Sequence, residues 1–202
     1  MDGDGQGKRG GRDMSRVELV YFRGSEDERK LMRCAYAMLE REGSARRMFM
    51  DGTVRSAEEF EKDLFRTGSL PFLVLHDGQP CGVSWLNTLE GRAARGHYAV
   101  FRRYWGRKMS VTIGRSIFEH YLGLRDERGY LFDVLIGIAP VSNPLAWKLA
   151  LLCGAEKQCV LPHFAYNART GETEDAVLTT TTRESLEESR WAEGFTRRSS
   201  ST

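Results

Sequence analysis

The residues best placed to do chemistry form a short basic turn. Arg102-Arg103-Tyr104-Trp105-Gly106-Arg107-Lys108 gathers four cations around one glycine, directly before a run with helical spacing. Unpaired N–H groups at a helix start point outward, and the helix dipole favours an anion there. Neighbouring Arg and Lys side chains add charge-assisted bonds to phosphate oxygens. The pattern points to a phosphate-bearing cofactor, against the plain alternative of a solvated basic turn. Tyr104 and Trp105 open a further alternative, a stacking platform for nucleic-acid bases.

A second constellation is Ala139-Pro140-Val141-Ser142-Asn143-Pro144-Leu145-Ala146. Asparagine is a favoured helix cap, and proline at the first helical position is preorganised for it. This helix start follows an apolar strand, one crossover after the basic turn. Ligands in parallel sheets gather at the carboxyl ends of the strands.

These groups need elements to hold them. Val17–Phe22 reads as a strand, followed by a helix that opens on the capping box Ser25-Glu-Asp-Glu28. A second box, Ser56-Ala-Glu-Glu59, opens a shorter helix, and the Gly43–Arg55 stretch between them is a loop or short helix. Strands Leu70–His76 and Cys81–Leu89 flank the turn signal Asp77-Gly78. A strand Ala94–Arg102 leads to the basic turn and a helix from Lys108 to Gly123. The apolar, β-branched run Leu131–Ala139 has the look of a central parallel strand covered on both faces. Strands Glu156–Asn167 and Asp175–Thr182 follow the Asn143 helix. The expected fold is α/β (α+β): a mixed, mostly antiparallel sheet with one βαβ crossover and helices on both faces. Residues 16–186 make one domain between glycine-rich or charged tails at 1–15 and 187–202.

On these motifs the chain resembles the GCN5-related N-acetyltransferase superfamily, which moves acyl groups from acetyl-CoA to amines. Arg103, Gly106 and Lys108 fall on that family's pyrophosphate signature, and Asn143, Ala146 and Gly154 on its later helix motif. The Trp105-Gly106 turn with Ile113-Gly114-Arg115 is similar to phage-encoded members. The resemblance implies that strands Ala94–Arg102 and Leu131–Ala139 splay apart to admit the pantetheine arm. The backbone of Ala99, Val100, Phe101 and Arg102 would pair with that arm. The amides of Gly106, Arg107, Lys108 and Met109, with Arg103 and Asn143, would serve the phosphate end. Lys108 replaces the family's small residue. Ala150 stands where many members carry the tyrosine that protonates the leaving thiolate. Both departures favour a rival reading: a degenerate binding or structural module that keeps the fold without the chemistry.

Direct transfer needs a base for the attacking amine. His97, on the strand that borders the expected slot, is one candidate and Glu90 another. Asp133, inside an apolar run, must find a partner or face the cleft. His163 and Tyr166 are candidates to line the acceptor pocket, while His76 and His120 look peripheral. The four histidines do not cluster with Cys or carboxylates, so no metal site is expected.

The four cysteines form no CxxC pair and read as buried, reduced thiols. With 30 Lys plus Arg against 28 Asp plus Glu, the charge balance argues against a general nucleic-acid binder. No apolar run could span a bilayer or act as a signal peptide, which places the protein in the cytoplasm. The expected function is acetyl-CoA-dependent acetylation of a primary amine, on a small molecule or a protein. The edge of the C-terminal hairpin offers a second copy a place to pair.

Overall fold

The computed structural model describes residues 16–189; the expected tail 1–15, and residues 190–202 of the expected tail 187–202, lie outside them. The first strand, β1 (Val17–Tyr21), leads to helices α1 (Glu26–Arg41), α2 (Ala45–Met48) and α3 (Ala57–Leu64). An antiparallel run β2 (Leu70–His76), β3 (Gln79–Glu90) and β4 (Ala93–Val100) follows. A 3-10 turn at Arg102–Tyr104 then feeds α4 (Arg107–Gly123). A small hairpin, β5 (Arg125–Asp126) with β6 (Gly129–Tyr130), precedes β7 (Val134–Pro140) and α5 (Pro144–Leu152). β8 (Glu156–Asn167) and β9 (Glu172–Thr181) form the last hairpin, and residues 183–189 are helical.

Seven strands share one sheet in the order β1-β2-β3-β4-β7-β9-β8. Every neighbouring pair is antiparallel except β4 with β7. Local chemistry sets the boundaries. The Glu28 carboxylate accepts from the N–H groups of Arg23, Gly24 and Ser25, while Ser25 Oγ accepts from Glu28 N–H. Those bonds, chiefly the one from Ser25, hold the Glu28 carboxyl below its ordinary range. The second box is half-made, because the Glu59 carboxylate turns to the Arg55 amide at 2.6 Å. Asp77 and Gly78 both adopt positive φ (49° and 73°), as a two-residue hairpin turn requires.

The sheet is covered on both faces. Ile113, Ile117, Tyr121 and Leu122 of α4 pack on Phe72, Val74 and Leu86. On the other face Met32, Leu39, Phe60 and Leu64 pack on Val83 and Trp85. The expected strand from Leu131 breaks instead at Asp133. Arg183 donates to the carbonyls of Leu122 and Phe132, and its guanidinium and that of Arg125 cover Tyr130 at 4.1 and 3.8 Å. Those bonds hold residues 130–133 away from the main ladder. β7 is also not parallel on both sides, since its other neighbour is the antiparallel β9. Residues 187–189, within the stretch read as a tail, are helical, with Arg115 donating to Ser189 Oγ at 3.2 Å.

Candidate functional site

β4 and β7 pair only through Ala93↔Val134, Ala94↔Leu135 and Arg95↔Ile136. Past Arg95 each strand follows its outer neighbour, β4 staying with β3 as far as Val100 and β7 with β9 as far as Pro140. The two strands splay, and a cavity of about 630 Å³ fills the gap. Its walls are residues 96–100 and 135–140, α5 covers it, and Gly106, Arg107 and Ser110 close one end. Among the described residues the lining includes the cations Arg47, Arg107 and Lys148 and no carboxylate. A cavity with that charge suits a polyanionic ligand.

Strand alternation determines which backbone groups the slot can use. Phe101 N–H bonds to the Cys81 carbonyl at 2.9 Å, so Ala99 and Phe101 turn their amides toward β3. Tyr98 and Val100 therefore face the open edge. The Val100 carbonyl is already taken by Trp105 Nε1–H at 2.8 Å, which leaves its amide. This corrects the expectation for Ala99 and Phe101, whose backbones belong to the β3 ladder; the Phe101 ring is buried among core residues. Arg102 N–H donates to the Glu42 carboxylate, so its amide is occupied too.

At the expected phosphate end the first intrahelical bond of α4 runs from Ser110 N–H to the Gly106 carbonyl at 2.8 Å. The amides of Arg107, Lys108 and Met109 precede it and carry the positive end of the helix. Gly106 sits at φ 141°, a conformation closed to ordinary L-residues, and that turn aims the helix start at the cavity. Lys108 is exposed and stands outside the lining, so it does not obstruct the site. Arg103 is turned away: its guanidinium donates to the Pro80 carbonyl and lies 4.8 Å from the Tyr104 ring centre. Asn143 lines the cavity but does not cap α5 with its side chain; its Nδ2 lies 3.5 Å from the Arg47 carbonyl.

His97 lines the slot near the point where the strands part. Its ring stacks on Trp85 (4.9 Å, 7°), and Nε2 lies 3.1 Å from Asn87 Oδ1. That oxygen also accepts from Thr88 Oγ1 at 3.2 Å. An accepting partner makes Nε2 the donor and leaves Nδ1 as a bare acceptor. Burial, with the nearby charges of Arg95 and Arg66, pushes the imidazole down to about 3. His97 is therefore a neutral hydrogen-bond acceptor at working pH.

The other expected residues lie elsewhere. Glu90 is exposed at the end of β3, outside the lining. Asp133 does not reach the cleft, because it pairs with Arg92 and Arg183. Bonds from Arg92 first and Arg183 second hold its carboxyl down to about 2. His163 and Tyr166 are exposed on the edge strand β8 and are likewise absent from the lining. Cys34 and Cys159 are exposed, against the expectation of buried thiols, whereas Cys81 and Cys153 are buried. Residues that sequence reasoning missed are Arg47, Ser110, Trp147 and Lys148. Spacing from Asn143 would have found Trp147 and Lys148 on one helix, but nothing local flags Arg47. Among the described residues no group of His, Cys, Asp and Glu could hold a metal ion.

Several solved structures share this architecture. The spermidine N-acetyltransferase SpeG of Vibrio cholerae, in complex with CoA and spermine, matches with a TM-score of 0.64 at 14% identity, over 84% of this chain and 97% of that one. An acetyltransferase of Salmonella typhimurium that modifies the N-terminal serine of ribosomal protein L7/L12 gives 0.64 at 15% identity, over 82% and 94%. The microcin C7 self-immunity acetyltransferase MccE, in complex with acetyl-CoA and AMP, gives 0.61 at 13%, over 82% and 92%. No protein-family model matches the sequence, and no curated protein does. The chain has the fold of the GCN5-related N-acetyltransferases.

Proposed function

We propose that this protein binds acetyl-CoA in the slot and transfers the acetyl group directly to an amine. The observation that carries this reading is the splay of β4 from β7 onto a carboxylate-free cavity that ends at the bare amides of α4. The phosphates belong at Arg107–Met109, with the Arg47, Arg107 and Lys148 side chains adding charge. The pantetheine arm takes the open edge at Tyr98 and Val100, and the thioester lies toward His97. The amine's lone pair attacks the carbonyl carbon, the C–S bond breaks, and the proton shed by the nitrogen passes to the departing sulfur, so CoA leaves as the thiol. Neutral His97 Nδ1 orients the amine by accepting its N–H. The positive field of Arg95 and Arg66, which depresses the imidazole, also lowers an amine's pKa and favours the attacking free base.

A second reading, cofactor binding without transfer, has one observation behind it: Ala150 lines the slot where a phenol would serve the leaving thiolate. Calorimetric titration with acetyl-CoA and CoA, followed by an amine-acetylation assay, separates the two. Ala146→Trp, on the exposed cavity-facing side of α5, fills the slot without touching the core. Micromolar binding that Ala146→Trp abolishes, with turnover, supports the transferase. Binding without turnover on any amine supports the second reading, and no binding at millimolar cofactor sinks both.

A further inference from the structure

Arg95 is a half-buried guanidinium with no counter-ion among the described residues. Among the described residues its Nε is shut off from solvent and meets no hydrogen-bond acceptor, and it makes no ion pair. Asp51 acts on it only from beyond ion-pair distance, and that carboxylate is engaged by Thr53 N–H and Oγ1. Burial holds the guanidinium below its ordinary range. A guanidinium whose Nε is cut off from water and left unpartnered gains from an anion brought against it.

Its position says which anion. Arg95 and Ile136 are the last pair before the strands part, so Arg95 stands at the apex of the splay. It shares a sheet face with His97, two residues along β4, which sets the two Cα atoms roughly 7 Å apart. Asn87, directly opposite Arg95 on β3, is the residue that bonds His97. The face that carries His97, Trp85 and Arg95 is the one away from α4, and α4 supplies the phosphate end. The cavity lining on β4 begins at Gly96, so Arg95 stands just beyond it, and an acceptor reaching His97 from that face would have the Arg95 guanidinium beside it.

The geometry points to an acceptor that is an amine bearing an acidic group, a carboxylate or phosphate, a few bonds from its nitrogen. The acid pairs with the Arg95 guanidinium while the nitrogen donates to His97 Nδ1 and faces the thioester. This rests on the transferase reading and narrows it. A polyamine, by contrast, would carry further cations toward Arg95 and Arg66.

The test uses amine pairs that differ only in the acid, at saturating acetyl-CoA: lysine against cadaverine, and O-phosphoethanolamine against ethanolamine. Wild type should acetylate the acid-bearing member of at least one pair with kcat/KM higher by about tenfold or more, as a charge-assisted bond allows. The responding pair tells carboxylate from phosphate. Arg95→Leu should bring that ratio to about one and Arg95→Lys should keep part of it, with acetyl-CoA affinity and melting temperature undiminished in both. A wild-type preference for the plain amine, an unchanged ratio in Arg95→Leu, or acetyl-CoA binding with neither pair acetylated overturns the proposal. Loss of acetyl-CoA binding to wild type would instead remove the transferase reading beneath it.

Discussion

The two ends of the proposed site are built from different materials. The phosphate end is backbone: a glycine at φ 141° and three helix-start amides, with cationic side chains at the margin. The proposed acceptor end is side chain: His97 in the lining, with Asn87 and Arg95 beside it, each fixed by stacking, a hydrogen bond or a strand register. A backbone site tolerates changes of side chain but not of conformation, and a side-chain site does the reverse.

The sharpest test of that contrast is Gly106→Val. The left-handed backbone costs a β-branched residue about 1–3 kcal/mol. If the chain relaxes instead, the helix start turns off the cavity. Acetyl-CoA affinity should fall by roughly 10- to 100-fold, with the melting temperature lowered by no more than the several degrees that strain accounts for. Retained affinity would mean that the amides are not the phosphate site.

Next in size is Gly114→Ala, which probes the wall shared by both ends. A Cβ there would lie 2.5 Å from Cys153 Sγ and 3.4 Å from Tyr98 Oη, so α4 and α5 would have to separate. Overpacking of this kind costs roughly 1–3 kcal/mol, readable as a lower urea midpoint. An unchanged midpoint would show that α5 yields freely and is a poor wall.

The same contrast explains what could be read from the sequence. The phosphate end is local in the chain, so Gly106 and the residues after it announce a strand, a turn and a helix start in order. The proposed acceptor end is assembled from β3 and β4 around residues 87, 95 and 97, with β7 alongside at 136, and no short pattern links them. Asp133 was misplaced for a related reason. The run from Tyr130 to Ala139 reads as one strand, and the break comes from Arg183, fifty residues on. Arg103 matches a signature by spacing, but a carbonyl on the β2–β3 side of the fold captures its guanidinium. Cys159 resembles a buried thiol in sequence, yet β8 is an edge strand with most of its side chains exposed.

Smaller still are the charge deletions at the phosphate end. Arg107 lines the cavity and Lys108 does not. Arg107→Ala should weaken acetyl-CoA by about threefold to fivefold, an exposed charge-assisted contact being worth roughly 1 kcal/mol. Lys108→Ala should leave affinity unchanged at physiological salt. A larger loss at Lys108 than at Arg107 would reverse the assignment and make side chains, not amides, the main phosphate ligands.

The least conspicuous effect belongs to the acceptor end and is read in pH. His97 has its folded pKa pushed from 6.5 down to about 3, so the unfolded chain binds the proton more readily. The stability this group contributes is complete above about pH 6.5 and is lost as the pH falls toward 3. His97→Gln, which retains an amide N–H for Asn87, should be nearly neutral at pH 8 and should flatten the fall in urea midpoint between pH 6.5 and 4. A residual slope is expected from His120, which burial also holds below its ordinary value. Transfer kinetics give the companion readout: no inflection near pH 6.5 in kcat/KM, because the imidazole stays neutral through that range and the titration seen is the amine's. An inflection there that His97→Gln removes would make His97 a proton acceptor in the reaction, and the acceptor end would owe its chemistry to a base instead of to its field.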